Sequence, residues 1–137
     1  MITLSASQLR EIFAHAGEMS PQECCGLIGG HDKRAESIYS LQNVASNPLV
    51  TYEAAPEDLF SAQRQMRERG EQLLGIYHSH PRSAEPTPSL TDVRLAYYPA
   101  AIYLIIGLAG DEPVLRAFNI SEKDQSWEPV EYEIVDE

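Results

Sequence analysis

The order of the predicted elements indicates an α/β fold, a sandwich in which a mixed β-sheet is flanked by two or three helices. Helices and strands are recognised from the spacing of apolar residues, and Pro and Gly mark where they end. The chain has 137 residues and is 43% hydrophobic, which is enough for one core. We therefore expect a single domain over residues 1–137.

The N-terminal part predicts one helix and one buried strand. Apolar residues at helical spacing favour a helix from Ser5 to about Met19, with Ser5 or Ser7 as its N-cap. Pro21 ends this helix. The segment from Cys24 to Ile28 is typical of a short buried strand, and Gly29-Gly30 predicts a turn after it.

The middle of the chain predicts further strands and a second helix. A strand is indicated from Ala35 to Val44, and Val50 to Glu53 is expected to continue the sheet beyond a break at Ser46-Asn47-Pro48. Pro56 lies where a first helical turn would begin. The apolar pattern then runs to Gly70, a residue that suits the position after a helix C-terminus.

The second half predicts most of the sheet. Leu73 to Ser79 is expected to be a strand, and a helix is expected to begin at Ser89 and to end before Pro99. The most hydrophobic run is expected to form a central strand, followed by its hairpin partner and a last strand, at Ala101 to Leu108, Val114 to Ile120 and Tyr132 to Val135.

Composition excludes several classes of function. The net charge of −11 and the pI near 4.7 argue against a nucleic-acid partner, because that affinity comes from clustered Lys and Arg. No segment approaches the ~20 apolar residues of a membrane span, and the N-terminus lacks the apolar stretch of a secretory signal. We therefore expect a soluble, cytoplasmic protein without a membrane partner. The oligomeric state stays open.

The two cysteines are adjacent, at Cys24 and Cys25, which excludes a disulfide framework. They lack the C-x-x-C spacing of a structural zinc site. Neighbouring side chains of a strand point to opposite faces. We therefore interpret one or both cysteines as small, buried hydrophobic residues.

The motif Tyr77-His78-Ser79-His80 places two histidines at the end of a predicted strand. Their side chains leave the same face, roughly 7 Å apart along the chain, and can converge on one ion. Neutral imidazole binds zinc, and a hydrogen bond to the other ring nitrogen would fix its tautomer. Asp92, which follows a loop with three prolines, is the candidate third ligand.

Ser89 and Asp92 allow two interpretations. The pattern S-x-x-D at a helix start resembles a capping box, in which each side chain accepts a hydrogen bond from a backbone N–H. A helix capped in this way would also present Asp92 rigidly to the strand end, and Ser89 could donate to a developing oxyanion. The two interpretations are compatible.

Two histidines and one aspartate leave a fourth position open for water, which is the pattern of a catalytic zinc site. The chemistry also needs a carboxylate that takes a proton from the water and passes it to the leaving amine. Glu23 is the candidate, since it lies between Pro21 and the apolar segment CCGLIGG. The alternative for Glu23 is a solvated turn residue before the strand.

Together these residues resemble the JAMM or MPN-plus metalloprotease family, with a glutamate before an apolar Gly-rich strand, then H-S-H-P, seven residues, Ser, two residues and Asp. The resemblance implies that His78, His80 and Asp92 bind one Zn²⁺ per chain, with water as the fourth ligand. It also implies that Glu23 is the general acid/base and that Ser89 stabilises the tetrahedral intermediate. The implied fold is a cytidine-deaminase-like α/β/α sandwich.

Members of that family hydrolyse isopeptide or peptide bonds at the C-terminal tail of ubiquitin or ubiquitin-like proteins, including bacterial sulfur carriers. This chain has little room for the insertions with which eukaryotic deubiquitinases grip ubiquitin. The resemblance therefore implies a substrate of the sulfur-carrier type, whose Gly-Gly end the enzyme would expose.

Other functions are less well supported by the motifs. A non-catalytic MPN-type scaffold would be expected to lack a ligand, and this chain lacks none. Another zinc hydrolase on the same fold remains an alternative. A nucleobase deaminase would need H-x-E and P-C-x-x-C, which are absent. A DNA-repair-associated relative is disfavoured by the acidic charge.

The remaining histidines and the C-terminal segment are interpreted as structural. His15, on the first helix, and His31, after the two glycines, are expected at the surface. Trp127 is interpreted as an aromatic packing anchor, and the acidic segment EPVEYEIVDE as a partly solvated last strand whose edge could pair with a partner.

Overall fold

The structure is a computed structural model that describes residues 1–136, and within this part of the chain three helices accompany one eight-stranded sheet. In chain order the elements are β1 (Ile2–Ser5), α1 (Ala6–Met19), β2 (Cys25–His31), β3 (Arg34–Leu41), α2 (Pro56–Glu68), β4 (Gln72–His80), α3 (Leu90–Arg94), β5 (Ile102–Gly107), β6 (Val114–Ser121), β7 (Ser126–Val130) and β8 (Tyr132–Val135).

The sheet is mixed, with the strand order β7-β6-β5-β4-β2-β3-β1-β8. β4 runs parallel to β5, and β1 runs parallel to both β3 and β8, whereas the other pairs are antiparallel. The Tyr132 hydroxyl, on β8, donates to the carbonyl of Leu115 on β6, at 2.6 Å. The sheet is therefore curled, because this bond joins strands that are far apart in the strand order.

Helix α1 covers one face of the sheet. Ser5 is its N-cap, since the Ser5 hydroxyl accepts from the Gln8 N–H at 3.1 Å and the Gln8 side chain accepts from the Ser5 N–H. This capping box decides between the two predicted caps. α1 buries Ile12 and Ala16 in a core shared with sheet residues that include Leu4, Ile28, Leu104 and Ile106.

Helices α2 and α3 lie on the opposite face. Ala62 and Met66 of α2 and Val93 of α3 belong to a second core with sheet residues that include Leu27, Ile76, Ile105 and Phe118. Helices thus cover both faces of a mixed sheet, so the predicted α/β class with two or three helices is confirmed. The burial of large apolar side chains on both faces is the main stabilising contribution.

Cys24 and Cys25 lie in different cores, one on each face of the sheet. Burial raises the pKa of Cys24 to about 11 and the pKa of Cys25 to about 12. Both side chains therefore remain neutral thiols at ordinary pH, which makes them poor nucleophiles. Their interpretation as small buried hydrophobic residues is confirmed.

Two of the expected local features are wrong. Val50 to Glu53 forms no strand, and only an isolated bridge between Asn43 and Ala54 follows β3. The turn between β2 and β3 falls at Asp32 and Lys33, both with positive φ, rather than at the two glycines. Both glycines lie within β2, and position 30 requires glycine because a Cβ there would lie 2.0 Å from the Arg34 carbonyl oxygen.

Other elements extend the predictions. β1 and β7 were not predicted, and β8 forms as expected but is paired with β1. His15 is half-buried, with Nδ1 2.7 Å from the Tyr77 hydroxyl, so its expected surface position is wrong. Trp127 stays 40% exposed but packs edge-to-face on Phe118, at 5.3 Å between ring centroids. No helix in residues 1–136 combines the length and apolarity that crossing a membrane requires.

Candidate metal centre

His78 and His80 lie at the C-terminal end of β4, on the same side of the strand. His78 is fully buried, and its ring stacks on that of Tyr52 with 4.7 Å between centroids and 29° between planes. His80 is partly exposed. The two Nε2 atoms lie 3.1 Å apart, so the predicted convergence of the two imidazoles is present in the structure.

Asp92 completes a triangle with the two histidines. Its Oδ2 atom lies 3.1 Å from Nε2 of His78 and 3.0 Å from Nε2 of His80. The loop between β4 and α3, which leads to Asp92, is held to the fold at two points. The Ser83 N–H donates to the His80 carbonyl at 3.0 Å, and Pro86 is buried. Three potential ligand atoms, Nε2 of each histidine and Oδ2 of Asp92, thus lie 3.0–3.1 Å from one another.

The capping box at the start of α3 exists together with this triangle. The Ser89 hydroxyl accepts from the Asp92 N–H at 3.0 Å, and Asp92 Oδ2 accepts from the Ser89 N–H at 2.9 Å. The same Oδ2 atom faces both histidines. The two interpretations of S-x-x-D are therefore both satisfied, because the cap fixes the direction in which the carboxylate points.

Glu23 lies two residues before β2, and its side chain is only 5% exposed. β2 pairs with β4 so that Cys25 is opposite His78, which brings Glu23 to the end of β4. One ligand atom from each of Glu23, His78 and His80 lies within 4.8 Å of the others. The Oε1 atom of Glu23 is buried and has no hydrogen-bond partner among the described residues.

The two carboxylates differ in their electrostatic environment. Burial raises the pKa of Glu23 to about 7, with a smaller opposing effect from His80. Burial would also raise the pKa of Asp92, but the charge of His78 and the hydrogen bonds from both histidines and Ser89 hold it well below its usual range. Asp92 is therefore ionised at neutral pH, whereas Glu23 is close to its midpoint.

The same carboxylates act on the pKa of His80. Burial lowers the pKa of His80, but the hydrogen bond and charge of Asp92, with a further contribution from Glu23, raise it overall. A cluster that combines buried imidazole nitrogens with two carboxylates has the composition of a divalent-cation site.

The donor set fits zinc in chemistry and in size. Ligands at 2.0–2.1 Å in a tetrahedral arrangement lie about 3.3–3.4 Å from one another. The separations of 3.0–3.1 Å among His78, His80 and Asp92 are slightly shorter than this, so a small outward movement would accommodate the ion. One expectation is not met, because Nδ1 of His78 has no hydrogen-bond partner in the described residues. The Tyr52 stack orients this ring instead.

All five predicted site residues come together in one region, at the C-terminal end of β4. A shallow cleft opens over the histidines and is lined by Glu23, Leu49, Val50, His80, Pro81, Arg82, Ser83 and Ser89. His78 and Asp92 do not line this cleft, but both contact His80, which does. The cleft gives an extended chain access to the polar cluster along an apolar wall.

Two supporting residues were not anticipated from the sequence. Tyr52 packs on His78, and the Ser79 hydroxyl accepts from the Cys24 N–H at 2.8 Å, while the Ser79 N–H donates to the Cys24 carbonyl. For Ser79, strand alternation was a usable signal, because it places the side chain on the face of β4 opposite to both histidines. For Tyr52, no local pattern indicates the contact.

The fold and the cluster define a mixed α/β protein with a site suited to a catalytic metal ion. The chain matches, over residues 5–121, the family described as prokaryotic homologs of the JAB domain, and it belongs to this family. The resemblance to JAMM/MPN proteins is thereby confirmed.

Similar proteins carry peptidase names. A desampylase of Haloferax volcanii is 37% identical over 111 residues, which cover 76% of this chain and 78% of that protein. A probable TtuB-protein conjugate cleaving protease of Thermus thermophilus is 36% identical, with coverages of 83% and 72%. The CysO-cysteine peptidase of Mycobacterium tuberculosis is 29% identical, with coverages of 95% and 90%. The predicted class, a hydrolase of peptide or isopeptide bonds, is confirmed at the level of the family.

Solved structures agree with the fold. The solution structure of a Desulfitobacterium hafniense protein superimposes with a TM-score of 0.87 at 37% identity and covers 100% of this chain and 94% of that one. A JAB1/MPN domain protein of Archaeoglobus fulgidus gives a TM-score of 0.65 at 23% identity, with coverages of 98% and 97%. The second likeness bears on the fold alone.

Proposed function

We propose that this protein is a zinc-dependent peptidase that hydrolyses a bond at the C-terminal tail of a ubiquitin-like protein of the sulfur-carrier type and thereby exposes its Gly-Gly end. The observation that carries the proposal is the meeting of three ligand atoms within 3.0–3.1 Å beside Glu23, whose buried Oε1 has no hydrogen-bond partner within residues 1–136. Residues 1–137 would form the single domain that performs this reaction.

His78, His80 and Asp92 are assigned as the ligands of one Zn²⁺ ion, with the fourth position left for water. Asp92 is favoured over Glu23 as the third ligand because it contacts both histidines directly and is already ionised. When bound, zinc lowers the pKa of a coordinated water toward ~7 and polarises the scissile carbonyl.

Glu23 is assigned as the general acid/base. An unpartnered carboxylate with a pKa near 7 can take a proton from the attacking water and return it to the leaving amine. A group with its pKa near the working pH performs both steps well, because neither protonation state is strongly favoured.

Ser89 is assigned as a donor to the developing oxyanion. Its oxygen accepts from the Asp92 N–H, which leaves the hydroxyl proton free to point elsewhere. Ser89 lines the same cleft as Glu23 and His80, where a scissile carbonyl would lie. The start of α3 would thus serve both the ligand Asp92 and the oxyanion donor Ser89.

The partner class is supported by the relatives and by charge. Those relatives are named for desampylation, for cleavage of TtuB-protein conjugates and for a CysO-cysteine peptidase activity. The cleft offers Leu49 and Val50 as an apolar wall for an extended tail. A net charge of −11 disfavours nucleic acid as the partner.

The test uses the full chain loaded with zinc and a ubiquitin-like sulfur carrier in two forms. In one form the Gly-Gly tail carries one further amino acid, and in the other it is joined to a lysine side chain by an isopeptide bond. Mass spectrometry is expected to detect the free Gly-Gly end from at least one form, and to identify which bond is cut. A stoichiometrically zinc-loaded protein that cleaves neither form would refute the proposal and favour another zinc hydrolase on the same fold, whereas a protein that binds no stoichiometric zinc would favour the scaffold alternative.

A further inference from the structure

The side chain of Asn43 makes four hydrogen bonds, all to backbone groups. Its Nδ2 donates to the carbonyl oxygens of Glu23, at 2.9 Å, and Thr51, at 3.0 Å. Its Oδ1 accepts from the N–H groups of Ala45 and Glu53, both at 3.0 Å. An amide has two N–H donors and two lone pairs on its oxygen, so this side chain is fully used.

These bonds join two elements that border the candidate metal centre. One is Glu23, at the start of the segment that enters β2. The other is the loop of residues 44–53, in which the bonds to Thr51 and Glu53 hold the chain on either side of Tyr52. Tyr52 in turn stacks on the buried ring of His78.

The backbone of Glu23 determines where its carboxylate lies. The side-chain atom Oε1 has no hydrogen-bond partner among the described residues, so the carboxylate is not tethered directly there. The backbone, by contrast, is held at both ends, since the Glu23 N–H donates to the Pro48 carbonyl at 2.8 Å and the Glu23 carbonyl accepts from Asn43. Both restraints come from residues 43–48.

We propose that Asn43 is a positioning residue, which fixes the Glu23 carboxylate and the Tyr52 ring against the metal centre through its four backbone hydrogen bonds. This inference rests on the proposed function, in which Glu23 is the general acid/base. Asn43 touches neither substrate nor metal in this scheme. Its effect on turnover passes through Glu23, because a displacement of about 1 Å in a reacting group can lower a rate by about 10²-fold.

The first test compares Asn43→Ala with Asn47→Ala. Asn47 is an exposed asparagine of the same loop, and its backbone carbonyl rather than its side chain makes the hydrogen bonds there, which makes it a matched control. Zinc-loaded Asn43→Ala is expected to lose about 10- to 100-fold in kcat, the range typical of residues that orient a metal site from outside. Asn47→Ala is expected to retain wild-type kcat.

A second readout needs neither zinc nor substrate. In the metal-free protein, hydrogen exchange at the amides of Ala45 and Glu53 is expected to be at least about 10-fold faster in Asn43→Ala, because each amide loses its acceptor. Asn43→Asp keeps the acceptor and loses the two donors. Asn43→Asp is therefore expected to keep slow exchange at these amides and still to have a lowered kcat. It also replaces Asn43→Ala in the test if Asn43→Ala does not fold.

A double-mutant comparison separates the inference from the proposed function. If Asn43 acts through Glu23, then Asn43→Ala in the Glu23→Gln background should lower the residual kcat by less than about twofold. An equal loss in both backgrounds would overturn the inference, as would wild-type kcat in Asn43→Ala. Full activity in Glu23→Gln alone would instead overturn the assignment of the base in the proposed function.

Discussion

Replacement of Glu23 by Gln should inactivate the enzyme. In the metal-free protein it should also make the free energy of unfolding fall less steeply with rising pH than it does in the wild type. Burial raises the pKa of this carboxyl from 4.5 to about 7. A difference of this size corresponds to about 3 kcal/mol of folding free energy. Since the pKa is higher in the folded state, the stabilising contribution is complete below pH 4.5 and is lost as the pH rises toward 7.

The glutamine variant lacks this titration, so its free energy of unfolding should fall less as the pH rises. The wild type is expected to lose about 2 kcal/mol of this contribution between about pH 5.5 and about pH 8, and the glutamine variant is expected to lose none of it. Any cost of the buried amide itself is independent of pH and cancels in this comparison. Urea unfolding of both metal-free proteins at the two pH values measures the difference, and Glu112→Gln, at an exposed position, controls for the change in net charge.

In the zinc-loaded state the same substitution is expected to lower kcat by about 10² to 10⁴-fold, because proton transfer by a positioned group contributes that much. Zinc content, measured by elemental analysis, should be unchanged. Parallel curves of unfolding free energy against pH for wild type and Glu23→Gln would refute the burial argument. A zinc-loaded variant with full turnover would refute the role as base.

Three further predictions concern the cap, the metal and a buried histidine. Ser89→Ala should lower kcat by about 10²-fold and the free energy of unfolding by about 1 kcal/mol. Ser5→Ala, at the equivalent cap of α1, should lower only the free energy of unfolding. Equal kcat in the two variants would contradict the role of Ser89 as an oxyanion donor. Chelation should abolish cleavage and lower the melting temperature, with both restored by zinc, and activity in zinc-free protein would contradict the assignment. Burial lowers the pKa of His15, so the contribution of His15 to the free energy of unfolding is present above about pH 6.5 and should be lost as the pH falls. Tyr77→Phe should lower the free energy of unfolding by about 1–3 kcal/mol at neutral pH, measured by urea unfolding, because His15 loses its buried partner.

The candidate site was predictable because its residues lie in short local patterns. The two histidines share one face of β4 as strand alternation requires, and the S-x-x-D pattern both caps α3 and fixes the direction of Asp92. The assignment of Glu23 depended more on the family pattern than on local chemistry. Its proximity to the histidines depends on the pairing of β2 with β4, which no local signal in the sequence defines.

The loop between β3 and α2 shows where local patterns fail. Val50 to Glu53 has the composition of a strand, yet the Glu53 N–H and the Thr51 carbonyl bond to the Asn43 side chain rather than to a neighbouring strand. A side chain that offers the backbone its hydrogen bonds competes with sheet formation. β1 was also not predicted, because its four residues are stabilised by pairing with β3 and β8, which are distant in sequence.

The proposed division of roles between the two carboxylates follows from how each is held. Asp92 receives hydrogen bonds from two histidines and a backbone N–H, all of which favour the ionised form that a metal ligand must have. Glu23 is buried without a partner for Oε1, which favours the neutral form and leaves the group free to exchange a proton. Two carboxylates whose environments move their pKa values in opposite directions can serve as ligand and base at the same pH. Exchange of the two roles would require Asp92 to leave its cap and Glu23 to gain hydrogen bonds, so under this proposal the helix cap and the Asn43 contacts together assign the two tasks.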